Sequence, residues 1–276
     1  MTDPTIFNQF LIWPFINALM VFYAAFRWAM IPGALGWAII SLTLVVRGAL
    51  HPLTAKQLES ARKMQELKPH IDKLQKKHKD DKQKLQQEQL KLYQEHGINP
   101  AAGCLPLLLQ FPILIALYRM FLGLLSNGNL SETVDHINQI VYAPWLKIES
   151  LDLSFFGLNL AQQPSAWKEA GWWLLLIPVI TGVLQWYQTK QMMPKPAEQS
   201  VEDMKKGKGK GKEKEKGNDN FAAELQKQMA FIMPVMIGFF AYNFPLGLSL
   251  YWNTFTVFSL VNTNKKSTPA KQTTAS

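Results

Sequence analysis

The chain is short of cysteine and lacks the motifs that mark common enzymes. A single Cys in 276 residues excludes a disulfide framework and a cysteine-rich zinc site. The sequence has no Gly-Lys-Ser/Thr phosphate loop, no dinucleotide-binding glycine pattern, no His-Glu-x-x-His and no Gly-x-Ser-x-Gly. The five His lie in loops or at the ends of apolar stretches, not in clusters that bind metal. We therefore expect no catalytic centre, no metal site and no cofactor.

Charged residues are almost absent from six long stretches of the chain. The mean hydropathy of −0.04 resembles that of a soluble protein, but most charges are confined to the segments between these stretches. A spanning helix needs roughly 20 apolar residues. Six such stretches favour an all-α polytopic membrane protein over a soluble protein with buried core helices. The stretches are 5–30, 34–53, 104–125, 172–187, 229–244 and 247–262.

The first stretch is ambiguous because of its polar content. It can span the membrane, or it can lie in the membrane interface as an amphipathic helix. It has no basic amino-terminal region and no small-residue cleavage site, so we expect no signal peptide. The residues that interrupt it are Asn8, Gln9, Pro14, Asn17 and Arg27.

The basic residues, which give the chain a net charge of +9, are distributed unevenly between the loops. Lys and Arg number eleven in 51–103, ten in 188–228 and three in 263–276, but two in 126–171. The positive-inside rule places the three basic segments in the cytoplasm. With five spans the N-terminus is then outside and the C-terminus is cytoplasmic. If the first stretch also spans, the N-terminus lies in the cytoplasm and the other loops stay on the same sides.

The basic segment 54–97 has apolar residues at helical spacing, which predicts two antiparallel helices. The turn between them falls at 79–81, and Gly97 and Pro100 end the second helix. Pro69 argues against one continuous coiled coil. The hairpin is equally consistent with a docking surface and with a solvated stalk.

A low-complexity run of alternating Lys and Gly occupies 205–212. Its composition predicts disorder. The run either tethers the protein electrostatically to RNA or anionic lipid, or serves only as a topology signal.

Arg47 is the most informative single residue, because it lies inside an apolar stretch. It precedes Pro52 by five residues, which places it roughly 7 Å from the cytoplasmic end of a helix. Thr43, Arg47 and His51 share one helical face. The side chain can snorkel to the headgroups, or it can face a water-filled cavity. Since no apolar stretch contains Asp or Glu, its counter-ion would come from water or from a substrate.

Other apolar stretches also carry polar side chains. Intramembrane polar groups usually face protein or water rather than lipid. A single such residue more often forms an interhelical hydrogen bond than a ligand-binding site. Together, these residues predict a hydrated, net-positive groove. The candidates are Gln110, Thr181, Gln185, Gln188, Trp252, Asn253, Thr254, Thr256 and Asn262.

Several long motifs resemble the YidC family of membrane protein insertases, in family order over about residues 5–265. The two most specific are 99–113, NPAAGCLPLLLQFPI, and 245–252, PLGLSLYW. The others are Arg47 followed by Pro52, Leu53 and Thr54; Lys63, Met64 and Gln65 with Pro69; Asp80, Asp81 and Lys82; and Met233 with Pro234.

The resemblance implies a five-transmembrane-helix insertase core with a cytoplasmic helical hairpin and an N-terminal interfacial helix on the outer surface. It also implies a hydrophilic groove that is open to the cytoplasm and to lipid but closed outside. The expected divisions are 1–33 (interfacial helix), 34–53 (first span), 54–99 (hairpin), 103–125 (second span), 126–171 (outer loop), 172–190 (third span), 191–228 (Lys/Gly-rich loop), 229–246 (fourth span), 247–264 (fifth span) and 265–276 (basic tail).

By the same resemblance, Arg47 is the groove cation. Gln185 and Gln188 match the polar end of the third span, and Trp252 matches the aromatic residue of the fifth span. Thr256 stands where the family usually has Asn. The expected partners are nascent membrane proteins and the lipid bilayer, with the ribosome and a Sec-type translocon as further candidates. We expect a monomer of the bacterial plasma membrane without nucleic-acid specificity.

Two other functions stay open at the level of sequence. One is a secondary transporter for a small anion with Arg47 as its ligand contact, although the chain has no convincing internal repeat of the kind such transporters often show. The other is a partner-dependent assembly chaperone that works through the hairpin. An insertase without nucleotide hydrolysis is the function that the resemblance favours.

Overall fold

A computed structural model describes residues 3–78, 81–97, 105–126, 130–192 and 221–266. The described chain is mostly helical and divides into two compact units. The first unit comprises the described parts of Met1–Leu50, Leu107–Gln191 and Ile232–Ser276, and the second those of His51–Pro106 and Met192–Phe231. Each unit is described by itself below.

The longer helices follow the apolar stretches and the predicted hairpin. A π-helical segment, Asn8–Ile12, leads directly into α1. In chain order the helices are α1 (Trp13–Trp28), α2 (Ala34–Ala49), α3 (His51–Glu66), α4 (Lys68–Lys77), α5 (Lys82–Glu95), α6 (Leu105–Ser126), α7 (Leu130–Ile140), α8 (Trp167–Ala170), α9 (Leu176–Met192), α10 (Phe221–Asn243) and α11 (Leu246–Lys266).

Among the described residues, one helix has the length and apolar composition of a membrane span, namely Asn8–Trp28. The apolar helical stretches Ala34–Ala49, Ile113–Leu122 and Phe231–Asn243 are shorter. The five-span count therefore stays a prediction, and length alone does not separate an interfacial first helix from a spanning one.

The core of the first unit is built around α2. One side of α2 packs against α1 and another packs against α11. The largest fully buried side chains include Tyr23 of α1, Leu35 and Ile39 of α2, and Phe121 of α6. Between helices in lipid, close packing of such side chains stabilises the unit through van der Waals contact.

Helices α9 and α10 approach each other closely at two glycines. A Cβ at Gly182 would lie 3.6 Å from the carbonyl oxygen of Pro234, and a Cβ at Gly238 would lie 3.4 Å from that of Pro178. The crossing therefore brings backbone against backbone. The two Pro-x-x-x-Gly sequences make this contact possible, because neither glycine places a side chain between the helices.

The segment between α6 and α9, for which the sequence predicts only an outer loop, folds into a small cap. It contains α7 and a two-stranded antiparallel ribbon, β1 (Ser154–Phe155) and β2 (Leu158–Asn159). Phe156 and Gly157 form the turn with positive φ values of 50° and 79°. The N–H groups of Leu246 and Gly247 donate to the carbonyl oxygens of Gln162 and Leu160, both at 2.8 Å. The cap is thus tied to the first turn of α11.

Side chains of α1 join that helix to the cap. Asn17, which is 5 % exposed, donates through Nδ2 to the carbonyl oxygen of Ile140 at 3.0 Å and accepts through Oδ1 from the N–H of Tyr142 at 2.7 Å. The hydroxyl of Tyr23 accepts from the N–H of Asp152 at 3.0 Å. Asn17, which interrupts the apolar first stretch, and Tyr23 therefore hold the cap in place.

Replacing Asn17 with Ala is expected to lower the free energy of unfolding by about 2–4 kcal/mol, because two backbone groups of the cap lose their partner. Thermal unfolding of the purified protein in detergent measures the change. Asn243→Ala is the matched control, since Asn243 is exposed and its bond among the described residues is to its own helix, at the carbonyl oxygen of Phe239. Equal unfolding midpoints for the two variants would contradict this role of Asn17.

In the second unit, the described part of the predicted hairpin, 51–78 and 81–97, contains three helices where the sequence predicts two. Helices α3 and α4 are separate because Pro69, in the first turn of α4, cannot donate to the preceding turn. Asp81 caps α5 by accepting from the N–H of Lys84 at 3.0 Å. Helix α4 contacts α5. An ion pair of 2.9 Å with Lys63 lowers the pKa of Glu59 on α3.

Some predicted features lie outside the described residues. These are positions 79 and 80 of the predicted turn, the amino-terminal part of the 99–113 motif, the Lys/Gly run at 205–212, and the tail from 267 onward.

Candidate functional site

Arg47 lies near the end of α2 and is half-buried. Its Cζ lies 3.3 Å from the ring centroid of Phe255 on α11. Its Nε is buried and has no hydrogen-bond partner among the described residues. In the described part of the chain it forms no ion pair. The cation is therefore held by an aromatic face while part of its hydrogen-bonding edge is unused.

A row of polar side chains follows one face of α11. Ser249, Asn253 and Thr256 are spaced by four and three residues, so they lie on one side of the helix. Within the described residues, Ser249 Oγ, Asn253 Oδ1 and Thr256 Oγ1 are buried without a hydrogen-bond partner. Thr256 is 0 % exposed and Ser249 is 3 % exposed. Because buried polar groups are nearly always hydrogen-bonded, this face is suited to water or a polar ligand.

Trp252 connects α11 to α9. Its Nε1 donates to Oε1 of Gln185 at 3.1 Å. The Trp252 ring lies 6.2 Å from the ring of Phe255. Gln185, Trp252, Phe255 and Arg47 therefore form a continuous chain of contacts across α9, α11 and α2.

Thr43 and Thr181 use their hydroxyl protons within their own helices. Thr43 Oγ1 donates to the carbonyl oxygen of Ile39 at 2.6 Å, and Thr181 Oγ1 donates to that of Ile177 at 2.8 Å. Both residues are buried. This local bonding satisfies a threonine hydroxyl without a partner from another helix. The two residues can therefore offer only acceptor capacity to a groove.

The other predicted residues are Gln188 and Gln110. Gln188 is 7 % exposed on α9, one turn from Gln185. Gln110 belongs to α6, but its side chain lies outside the described part of the structure. The structure thus brings Arg47 and Trp252 together through Phe255, and it brings Trp252 to Gln185.

Sequence reasoning missed Phe255 and Ser249. Phe255 follows Trp252 by three residues, a spacing that puts both rings on one helical face. That spacing was visible in the sequence, but an aromatic residue in an apolar helix usually packs against lipid or core. Ser249 precedes Asn253 by one helical turn and could have been found as the start of the same polar row.

The described architecture, a set of apolar helices around a half-buried cation, is of the kind found in helical membrane proteins. Comparison with known proteins gives the family. The family described as "60Kd inner membrane protein" matches residues 27–268. The chain belongs to this family, the YidC family of membrane protein insertases, and the family description together with its relatives indicates a bacterial inner membrane protein.

Two relatives illustrate the similarity. The chain is 34 % identical over 238 residues to "Membrane protein insertase YidC" of Oceanobacillus iheyensis, covering 83 % of this chain and 74 % of that protein. It is 33 % identical over 232 residues to "Membrane protein insertase MisCA" of Bacillus subtilis, covering 83 % and 68 %.

A solved structure gives the corresponding fold. The structure titled "Active YidC insertase crystal structure with the first transmembrane domain resolved" matches 95 % of this chain with a TM-score of 0.51 and 26 % sequence identity. The match covers 48 % of that chain. Similarly, the match to the Streptomyces avermitilis relative, at 32 % identity, covers 50 % of its length. The chain thus spans about half the length of these longer members.

Proposed function

We propose that this chain moves nascent transmembrane segments from the cytoplasm into the bilayer through a hydrophilic groove, and that it assists their folding. The observation that carries the proposal is the environment of the Arg47 side chain. It is a half-buried cation without an ion-pair partner in the described residues, and its Nε is unpaired. Such a group favours a ligand with negative charge.

The groove would act by replacing water around the polar part of a client. Moving a charged or polar segment into hydrocarbon without hydrogen bonds is strongly unfavourable. The Arg47 guanidinium can bind a carboxylate through two parallel N–H···O bonds, and the polar row on α11 offers further partners. The client's apolar helix then enters lipid, and burial of its apolar surface supplies the free energy.

Helix α1 is proposed to lie at the outer surface, although its length also permits a span. Asn17, near the middle of Asn8–Trp28, and Tyr23, a turn and a half later, both bond to the cap. A spanning helix would bury its middle in hydrocarbon, away from the backbone of an outer segment. These contacts therefore support an interfacial helix that runs along the cap.

The proposed topology has five spans, with the N-terminus outside and the C-terminus in the cytoplasm. The excess of Lys and Arg in 51–103, 188–228 and 263–276 supports it. In this arrangement the hairpin at 54–99 meets clients and the basic tail at 265–276 contacts the ribosome. The protein works as a monomer, alone or beside a Sec-type translocon.

The test is reconstitution of the purified full chain into liposomes without ATP, with a single-span client whose outer segment carries two acidic residues. Protease-protected client is scored over time. We expect protection well above that of protein-free liposomes, because the energy comes from apolar burial rather than from nucleotide hydrolysis. Equal protection in the two liposome preparations overturns the proposal.

The same liposomes separate the two competing functions. A small-anion transporter would accumulate a labelled anion and leave the client exposed to protease. A partner-dependent chaperone would protect the client only after a translocon is added. Either result, with no insertion by the chain alone, contradicts an autonomous insertase.

A further inference from the structure

Phe255 contacts the groove cation directly. Arg47 lies close enough to the end of its helix for a long side chain to reach the headgroups, and snorkelling is the usual outcome for such an arginine. In the structure its guanidinium instead lies over the Phe255 ring, with Cζ 3.3 Å from the ring centroid. The Phe255 ring therefore holds the Arg47 guanidinium between α2 and α11.

The position of this ring is determined by its neighbours. The ring of Tyr251 lies 6.4 Å away and that of Trp252 lies 6.2 Å away, both tilted relative to Phe255. Trp252 is itself oriented by its hydrogen bond to Gln185 on α9. Movement of α9 relative to α11 would thus be transmitted to the surface on which the guanidinium rests.

We infer that Phe255 is the positioning residue of the groove cation: it holds the Arg47 guanidinium by its flat face and leaves the N–H edge for the carboxylate of a client. The inference rests on the proposed function and names the residue that makes Arg47 selective for acidic clients.

The chemistry follows from the two kinds of contact that a guanidinium can make. A planar guanidinium over the face of an aromatic ring can stack on it through its own flat face. The five N–H donors lie in its plane and point outward. Stacking and bidentate hydrogen bonding are therefore compatible. An Asp or Glu at position 255 would occupy the donors and neutralise the charge, whereas a phenyl ring does neither.

The experiment compares Phe255→Leu with Phe255→Tyr in the liposome assay, using two clients that differ only in whether the outer segment is acidic or neutral. Leu keeps apolar bulk but removes the aromatic face. We expect Phe255→Leu to slow insertion of the acidic client by about fivefold, as expected for loss of a partly desolvated cation–aromatic contact. We expect the neutral client to be unaffected and Phe255→Tyr to be within about twofold of wild type.

A double-mutant cycle distinguishes positioning from a structural role. If Phe255 acts through Arg47, Phe255→Leu has no further effect on the acidic client in an Arg47→Ala background. Equal slowing of both clients, or an additional loss in that background, overturns the inference. The inference is also overturned if Phe255→Leu does not change insertion of the acidic client while Arg47→Ala slows it. That result would leave the proposed function intact. Absence of insertion by the wild-type protein contradicts the proposed function itself.

Discussion

Replacing Arg47 with Ala is expected to lower insertion of a client with an acidic outer segment by tenfold or more. The change removes the charge-assisted hydrogen bonds to the client carboxylates, which contribute about 1.5–3 kcal/mol each. Arg47→Lys should lower the insertion rate of this client by only about threefold, because Lys keeps the positive charge but lacks the planar set of N–H donors. The initial rate of protease protection in ATP-free liposomes measures both changes.

Two controls make the Arg47 result specific. A neutral client tests charge selectivity, and we expect it to be affected by less than twofold. Arg27→Ala tests loss of an arginine elsewhere, since Arg27 is exposed on α1 and its Nη1 lies 3.5 Å from the carbonyl oxygen of Ser150 in the cap. Equal impairment of neutral and acidic clients by Arg47→Ala would exclude an electrostatic role.

Replacing Gly36 with Ala is expected to destabilise the protein by about 2–3 kcal/mol. A Cβ at this position on α2 would overlap the ring of Phe155, and that ring is buried edge-on against Trp37 with centroids 5.7 Å apart. Forcing extra volume into a packed site costs about 1–3 kcal/mol. Thermal unfolding in detergent should show a lower midpoint for the variant.

The matched control for this change lies on the same helix. A Cβ at Gly48 would have no described heavy atom within 4 Å, so Gly48→Ala should be neutral or stabilising, as expected from helix propensity. In a Phe155→Ala background, the further substitution Gly36→Ala should cost less than it does in the wild-type protein, because the ring that the new Cβ would overlap is gone. A Gly36→Ala variant as stable as Gly48→Ala would contradict the packing argument.

The groove residues show how far sequence reasoning reaches. Arg47 was identified because a single cation stands out in an uncharged helix, and its position along the helix follows from the rise per residue. Spacing along one helix groups Thr43 with Arg47, and spacing along another groups Thr181 with Gln185 and Gln188. Periodicity identifies the face of a helix, but it does not reveal that each hydroxyl proton is donated within its own helix.

The cap illustrates a second limit. The sequence of 126–171 shows dispersed aromatic residues and few basic ones, which indicates an outer segment but no fold. Its structure depends on contacts such as Asn17 with Ile140, which are 123 residues apart in the chain. No local pattern encodes such a pair, because each partner contributes only one hydrogen-bonding group.

The sequence by itself determined the helices along the apolar stretches, the unequal charge of the loops and the isolation of Arg47, since composition and spacing are local properties. Only the tertiary structure decided that Phe255 lies under Arg47 and that Trp252 bonds to Gln185. Those contacts depend on the rotation and approach of α2, α9 and α11. Rotation and approach are set by packing over the whole unit, so residues distant in the chain become neighbours.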